Sequence, residues 1–224
     1  MKKIITFIIF ISVILNTQVF ASDNVLKNQV IDKIAPYAQK DSEEKIPRKD
    51  CVISIVKAIG ANEDLNEQRR RVAYESPPFG SEYTIFQEDF GYLIAAHFDD
   101  ILCGEPYYYN SEQMGVLVTP FRAVKAKECL AFMLRCLKPM ESIEWNNTFQ
   151  DSIDIGLINA EEAKAFENQK YLMAKDFRVL LSRMLDMKRY LYYTDEAKKS
   201  VWRNYIETDV SGSMTYLEQY LKNN

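Results

Sequence analysis

Three segments of the chain share one spacing of apolar side chains. Apolar residues recur three and four positions apart in Arg48 to Gly60, in Lys125 to Lys138 and in Lys175 to Met187. This spacing lines one face of an α-helix with side chains that avoid water. The pattern therefore predicts three amphipathic helices, each with one face packed against the rest of the fold.

The three predicted helices begin in the same way, which gives them a common register. Each has an acidic residue in its first turn: Asp50, Glu128 and Asp176. A lysine precedes each acid: Lys49, Lys127 and Lys175. The position after each acid is apolar: Cys51, Cys129 and Phe177. A carboxylate near a helix N-terminus interacts favourably with the helix dipole, so this opening has a local physical reason.

A shorter helical run precedes each of these helices. Tyr92 to Ala96 and Thr148 to Asp151 are the runs before the second and third helices, and a tight corner rich in Ile, Leu and Gly follows each. Before the first helix, the stretch from Leu26 to Ile34 carries the matching apolar stripe. The predicted unit is helix, loop, helix, and it occurs three times. The predicted fold class is all-α.

The uneven spacing of the three acids marks an insertion. Asp50 and Glu128 are 78 residues apart, whereas Glu128 and Asp176 are 48 residues apart. Most of the surplus lies in residues 61–83, which contain a run of arginines and two adjacent prolines. We interpret these residues as a linker or an inserted excursion within a repeat domain that covers residues 22–187.

Both ends of the chain differ from the repeats. Residues 1–21 combine two lysines, an apolar run and small residues near Ala21, which is the pattern of a secretory signal peptide. The apolar run is about a dozen residues long, shorter than the roughly 20 that a membrane-spanning helix needs, so no span is expected in the exported chain. Residues 188–224 are predicted to be a C-terminal helical extension that ends in a helix from Met214 to Lys222.

Composition and charge exclude several classes of protein. The 224 residues carry 28 Lys and Arg against 32 Asp and Glu, a net charge of −4. A nucleic-acid-binding protein needs an excess of basic residues to neutralise phosphates, so nucleic acid is not an expected partner. His97 is the only histidine, which excludes a histidine pair at a metal or catalytic site.

The chain has four cysteines: Cys51, Cys103, Cys129 and Cys136. None forms a Cys-x-x-Cys pair, so a zinc knuckle or a thioredoxin-type site is not predicted. Cys129 and Cys136 lie two helical turns apart, about 10 Å, and cannot bridge within one helix. Cys51 and Cys129 share a register position and approach each other if the helices converge, as a disulfide or as a reduced pair. Buried free thiols, with Cys51 and Cys129 as a reduced pair in the core, are the preferred interpretation.

The segments that open the three helices resemble the S-layer homology domain family. The clearest match is Lys125 to Arg135, which is similar to the family's Thr-Arg-Ala-Glu-Phe helix start. Arg48 to Val52 and Met173 to Phe177 look like the other two copies, and Gly91 to Gly104 resembles the family's upstream helix and glycine corner. The resemblance covers about residues 26–187 and implies three repeats in a pseudo-threefold arrangement.

The resemblance also implies a function. Family members commonly hold an exported protein on the cell wall by binding an anionic polysaccharide in grooves between repeats. The motif arginine is kept only as Arg48, because Ala126 and Ala174 occupy its other two places. The predicted ligand-binding residues are the charged residues of the three helix starts: Arg48, Lys49, Lys127, Lys175, Asp50, Glu128 and Asp176.

The sequence thus predicts a secreted, non-catalytic module of the cell wall or cell surface, with a cell-wall polysaccharide or a surface protein as its partner. It contains no glycine-rich phosphate loop, nucleophile elbow or metalloprotease motif, so neither an enzyme nor a cofactor is expected. Two alternatives stay open. One is a diverged protein-interaction scaffold that binds no polymer, and the other is an envelope-acting hydrolase, because paired carboxylates leave no motif.

Overall fold

A computed structural model of the chain describes residues 24–73, 88–98, 100–103, 105–109, 112–117, 119–137, 143–187 and 214–223. These residues are mostly helical, which confirms the all-α class. Within them, no helix is long and apolar enough to cross a lipid bilayer. The signal peptide predicted for residues 1–21 lies outside the described residues.

The helices follow the predicted pattern closely. In chain order they are α1 (24–34), α2 (Arg48–Ala58), α3 (Glu63–Ala73), α4 (Phe90–Phe98), α5 (Ala126–Leu137), α6 (Thr148–Asp154), α7 (Ala160–Asn168), α8 (Ala174–Asp186) and α9 (Tyr216–Asn223). A 3-10 turn, Trp145–Asn147, precedes α6. Helices α2, α5 and α8 are the three predicted from apolar spacing, and α1, α4 and α6 are the shorter runs predicted before them.

Two strands lie between α4 and α5. β1 (Glu105–Tyr109) pairs antiparallel with β2 (Glu112–Leu117), and the register shifts between Tyr107 and Tyr108. The adjacent tyrosines of this stretch therefore lie in a strand. Aromatic residues fit a pleated, extended backbone, which favours this conformation.

The inserted segment begins as a packed helix. Within α3, which packs against α4, Leu65 and Asn66 are buried. The side chain of Asn62 accepts a hydrogen bond from the backbone N–H of Leu65 (3.0 Å) and caps the helix. The first half of residues 61–83 therefore fits an inserted helical element and not an extended linker. The adjacent prolines of the second half lie outside the described residues.

The segments that lead into α2, α5 and α8 meet in a closed ring of backbone hydrogen bonds, called the entry ring below. The N–H of Ile46 donates to the carbonyl of Leu172 (3.3 Å) and the N–H of Leu172 to that of Val124 (2.9 Å). The N–H of Val124 donates to the carbonyl of Ile46 (2.9 Å). All three side chains are buried. Each residue lies four positions before the acid of its helix, so the ring joins equivalent positions of the three predicted units.

Three core residues lie five positions after the three residues of the entry ring. Cys51, Cys129 and Phe177, the residues after the aligned acids, are each 0% exposed. They lie on the buried faces of α2, α5 and α8, and α2 contacts both of the other helices. The apolar stripes predicted from the sequence are thus the buried faces. The three-repeat arrangement itself stays a prediction.

Two arginines bind the corner that precedes their own helix. Arg135 on α5 donates to the carbonyl of Ile101 (2.8 Å), just after α4. Arg183 on α8 donates to the carbonyl of Leu157 (3.0 Å), just after α6. Each arginine follows the acid of its helix by seven positions. The same contact therefore fixes the helix pair in the second and third predicted units.

Candidate functional site

The seven predicted ligand-binding residues lie at three separate helix starts and do not converge on one groove. They are Arg48, Lys49 and Asp50 on α2, Lys127 and Glu128 on α5, and Lys175 and Asp176 on α8. Of these seven, the structure joins only Arg48 and Glu128 across two helices. Each helix start has its own partners and needs its own description.

Arg48 and Glu128 form a buried ion pair between α2 and α5. Arg48 Nε lies 3.6 Å from Glu128 Oε1, and the two side chains are 8% and 11% exposed. Arg48 also donates from Nη2 to the carbonyl of Cys103 (2.9 Å). Its guanidinium lies 5.5 Å from the ring centre of Phe132. The only motif arginine that is kept is therefore directed into the protein, where it links α2 to α5.

Glu128 has a second basic partner in the loop before its own helix. Arg122 Nη1 donates to Glu128 Oε2 (2.7 Å), Arg122 Nη2 contacts Oε1, and the backbone N–H of Lys125 donates to Oε2 (3.1 Å). Burial raises the pKa of the Glu128 carboxyl, but the bonds from Arg122 and Lys125 and the charge of Arg48 outweigh burial and lower the pKa. Glu128 is thus occupied as a helix cap and ion-pair partner.

Lys49 is neutralised by two carboxylates. Its Nζ lies 3.2 Å from Asp50 Oδ1 and 3.1 Å from Asp89 Oδ2. Burial disfavours the charged ammonium, but the hydrogen bond to Asp89 and the charges of both carboxylates raise the pKa of Lys49 above its usual value. The carbonyl of Asp50 accepts a hydrogen bond from the Tyr37 hydroxyl. The start of α2 is therefore held by the ion pair of Lys49 with Asp89 and by the hydrogen bond from Tyr37.

The start of α8 lies nearer the surface. Lys175 Nζ pairs with the Glu43 carboxylate, and the Lys175 side chain is 41% exposed. Asp176 Oδ2 accepts a hydrogen bond from Gln169 Nε2 (3.1 Å). Solvent screens an ion pair at the surface, so the pair of Lys175 and Glu43 adds little stability.

At two of the three helix starts, the first backbone N–H groups are bonded to a neighbouring segment. The first two N–H groups of α2 donate to carbonyls in the segment before α5, and those of α8 donate to carbonyls in the segment before α2. The four bonds are Arg48 to Arg122 (2.8 Å), Lys49 to Pro120 (2.9 Å), Ala174 to Glu44 (2.8 Å) and Lys175 to Ser42 (3.1 Å). Within the described part of the chain, Ala126 and Lys127 of α5 make no such bond to the segment before α8. The start of α5 is therefore not covered by a neighbouring entry segment.

An open groove lies at this start, between α5 and the helices α6 and α7. Its volume is about 790 Å³. Its polar lining consists of lysine, amide and carboxylate side chains: Lys125, Lys127, Lys164, Asn146, Gln150, Gln169 and Glu167. Three lysines against one glutamate make the groove basic in a chain whose net charge is −4. By contrast, the cleft beside α2, lined by Arg48 and Leu102, is too narrow to admit a water molecule.

Of the seven predicted residues, Lys127 is the one that lines the groove. Its Nζ lies 5.1 Å from the ring centre of Trp145 and 5.8 Å from that of Phe149. A cation over an aromatic face is attracted by the ring quadrupole, which holds the ammonium beside a flat apolar surface. Trp145 is 51% exposed, so much of the indole surface is accessible. The groove thus combines positive charge with hydrogen-bonding amides, and the exposed indole of Trp145 lies beside it, next to Lys127.

Sequence reasoning missed the residues that surround Lys127, both in the groove and beside it. Trp145, Phe149 and Lys164 come from the 3-10 turn, α6 and α7, and no local spacing relates them to Lys127 on α5. One local signal was present for α7. Asn159 and Glu162 form a capping box, in which each side chain accepts a hydrogen bond from the other residue's backbone N–H.

The described residues contain no group of three His, Cys, Asp or Glu side chains that could hold a metal ion. Comparison with known proteins assigns no family: no family model, curated protein or solved structure matches the chain. The geometry of the entry ring and of the groove is therefore the basis for assigning a function.

Proposed function

We propose that the chain is an exported, non-catalytic module of the cell envelope that binds an anionic wall polysaccharide in the groove between α5 and α6–α7. The observation that carries this proposal is the position of Lys127, over Trp145 and Phe149 in an open, basic groove. Lys125, Lys127 and Lys164 are the proposed charge partners of the polymer.

The groove matches an anionic sugar in charge and in shape. Lysine ammonium groups donate charge-assisted hydrogen bonds to carboxylate or phosphate substituents. The exposed face of Trp145 is a flat apolar surface on which a sugar ring can stack. The amides of Asn146 and Gln150 supply hydrogen bonds for hydroxyl groups. A neutral sugar would leave the excess of lysine charge unused.

We also propose that the three units are diverged S-layer homology repeats related by a pseudo-threefold axis. Two observations support this: the entry ring joins equivalent positions, and Arg135 and Arg183 make equivalent contacts to their corners. The chain departs from the family at Arg48, which is buried against Glu128. In this proposal the motif arginine has a folding role, and Lys127 provides the charge that contacts the polymer.

A pull-down with purified cell walls tests the proposed function. Walls with and without their secondary polysaccharide are incubated with the wild-type chain and with a Lys127→Ala, Trp145→Ala double variant. We expect the wild type to bind only polymer-bearing walls. We expect the double variant to bind about tenfold more weakly, because a lysine hydrogen bond to the polymer and an aromatic stacking surface contribute about 1–2 kcal/mol.

Lys175→Ala is the matched control, since Lys175 has the same register position but lies outside the groove and pairs with Glu43. Its binding should equal that of the wild type, and thermal unfolding of each variant verifies the fold. Absence of wall binding at every salt concentration contradicts the proposed function. Undiminished binding by the double variant contradicts the groove assignment, and release of soluble wall fragments supports the hydrolase alternative.

One observation favours a second candidate, a scaffold that binds a surface protein and no polymer. Arg48 and Glu128, which carry the family motif, are used in a buried ion pair and are closed to a ligand. A scaffold of this kind is retained by walls that keep their surface proteins and is lost from walls stripped of protein. The proposed polysaccharide module binds both preparations.

A further inference from the structure

Two buried thiols lie at one position of the predicted repeat. Cys51 on α2 and Cys129 on α5 each follow the aligned acid of their helix, and each side chain is 0% exposed. They come one turn after the entry ring, where Ile46 and Val124 are joined by a 2.9 Å hydrogen bond. The ring therefore fixes the spacing of the two helices close to the thiols.

Both thiols lie where α2 packs against α5, and the ion pair of Arg48 and Glu128 (3.6 Å) joins the same two helices beside them. Each sulfur is enclosed in the core at this helix contact. The other two cysteines have different surroundings. Cys103 is exposed, and Cys136 is two helical turns further along α5, where its thiol donates to the carbonyl of Phe132 (3.4 Å). Geometry thus selects one pair among the four cysteines.

We infer that Cys51 and Cys129 are a disulfide site that links α2 to α5. Two S–H bonds are broken and one S–S bond is formed, and two electrons and two protons pass to an oxidised dithiol oxidoreductase or to glutathione disulfide. The disulfide of that oxidant is reduced to two thiols in the same exchange. The inference uses the oxidising environment that export provides, as in the proposed function, but it does not depend on polymer binding.

The bond must form while the chain folds. Burial, and to a smaller extent the interaction with Cys129, raise the pKa of the Cys51 thiol well above its ordinary value. The thiolate is the reactive species, so the folded and buried pair exchanges slowly. An oxidant therefore reaches the pair before α2 and α5 close over it.

Peptide mapping of the full-length chain tests this inference without any requirement for export. The reduced chain is refolded in a glutathione redox buffer and then denatured in the presence of N-ethylmaleimide. Trypsin separates the three relevant cysteines, because it cleaves after Lys49, Lys57, Lys127 and Arg135. We expect the peptides that contain Cys51 and Cys129 to be linked until they are reduced, with maleimide on Cys103 and Cys136. Modification of all four thiols, or a bond to either of the other two, overturns the inference.

Two variants extend the test. Cys51→Ala should leave Cys129 modified by maleimide, whereas Cys136→Ala, the matched control on α5, should keep the linked peptide pair. In the wild type we expect dithiothreitol to lower the Tm by roughly 5 to 15 °C, the usual effect of removing one disulfide from a chain of this size. In Cys51→Ala, dithiothreitol should leave the Tm unchanged. If the variants fail to fold, mapping of the wild type alone still decides the question.

Discussion

At the scale of single residues, one aligned position has three different roles. Glu128 is buried and bonded to Arg122. Asp176 is partly exposed and accepts a bond from Gln169, and Asp50 pairs with the lysine beside it. The environment of a carboxylate sets the free-energy cost of losing its charge. The three acids therefore differ in importance although their sequence context is alike.

Glu128→Gln tests this difference. The substitution removes the negative charge that faces Arg48 in a buried site, and loss of one partner of a buried pair usually costs about 3–5 kcal/mol. We expect a loss of about 2–4 kcal/mol in the free energy of unfolding, measured with urea, because Arg122 is partly exposed. Asp176→Asn is the control, with an expected loss of about 1 kcal/mol or less. Equal losses for the two variants would argue against the buried pair.

A second residue-scale prediction concerns pH. Arg183 donates from both Nη atoms to Glu162 (2.7 Å each), and this bond, with that from the Asn159 backbone, lowers the pKa of the Glu162 carboxyl. A carboxyl whose pKa is lowered by folding stabilises the protein when the pH is above the pKa of that carboxyl in the unfolded chain, about 4.3. That stabilisation is lost as the pH falls through the folded value.

We expect Glu162→Gln to be less stable than the wild type at neutral pH and to approach it as the pH falls from about 5 toward 3. Urea midpoints measured across this range provide the test. Glu161→Gln, one residue away and exposed, should show a difference from the wild type that does not vary with pH. A difference for Glu162→Gln that is constant with pH contradicts the assignment.

At the scale of elements, α4 and α3 approach each other closely at Gly91. A Cβ atom at Gly91 would lie 2.0 Å from the backbone oxygen of Asn66, far inside van der Waals contact. Asn66 is itself held, because its side chain donates to the carbonyl of Glu88 (2.6 Å). The packing of α4 on α3 therefore requires glycine at position 91.

Gly91→Ala should force α3 and α4 apart. We expect a loss of about 3 kcal/mol in the free energy of unfolding, at the upper end of the usual cost of overpacking. Gly156→Ala is the control, since a Cβ there meets nothing within 4 Å and only the positive φ of 77° opposes it. That strain costs about 1–2 kcal/mol. A smaller loss of stability for Gly91→Ala than for Gly156→Ala would show that α3 shifts to make room for the added methyl group.

Periodicity predicted the long helices because their stripes are both regular and buried. The ends of α2, α5 and α8 lie within two residues of the prediction. The helix within residues 61–83 was harder to predict, because the arginines of α3 interrupt its apolar pattern. Asn62, which caps α3, was a local signal for its start. The main sequence signal for the short helix α7 is its capping box. Local caps are therefore as informative as apolar spacing for the short helices.

At the scale of the whole molecule, the C-terminal helix completes the core. In α9, Tyr216 and Tyr220 are 3% and 5% exposed, and the helix packs against α8 and α2. The Tyr216 hydroxyl donates to the carbonyl of Cys136 on α5. Residues 214–223 of the predicted C-terminal extension thus contribute side chains to the same core as α2 and α8.

Tyr216→Ala should destabilise the whole fold. We expect a loss of about 3–5 kcal/mol in the free energy of unfolding, the usual result of truncating a buried aromatic side chain. Leu221→Ala, on the same helix but 41% exposed, should change the stability by about 0.5 kcal/mol or less. Urea unfolding distinguishes these outcomes. An unchanged midpoint for Tyr216→Ala would mean that α9 is not docked in solution.

The candidate site was predictable only in part, because it depends on how the elements pack in the whole molecule. Lys127 follows from the register of the helix starts, but its aromatic neighbours Trp145 and Phe149 come from another predicted unit. Likewise, Arg48 was expected to face a ligand, whereas the packing of α2 on α5 turns it toward Glu128. Sequence spacing describes one element at a time, and a groove between elements depends on how they pack.

The entry ring also has a consequence for the order of events during synthesis. Ile46, Val124 and Leu172 are separated by 78 and 48 residues, and each donates one bond and accepts one. The circle cannot close before Leu172 has emerged from the ribosome. Closure of such large loops becomes only slowly more costly with length, about 0.6 kcal/mol for each doubling. Arrival of the third segment, rather than formation of the first helices, completes the ring.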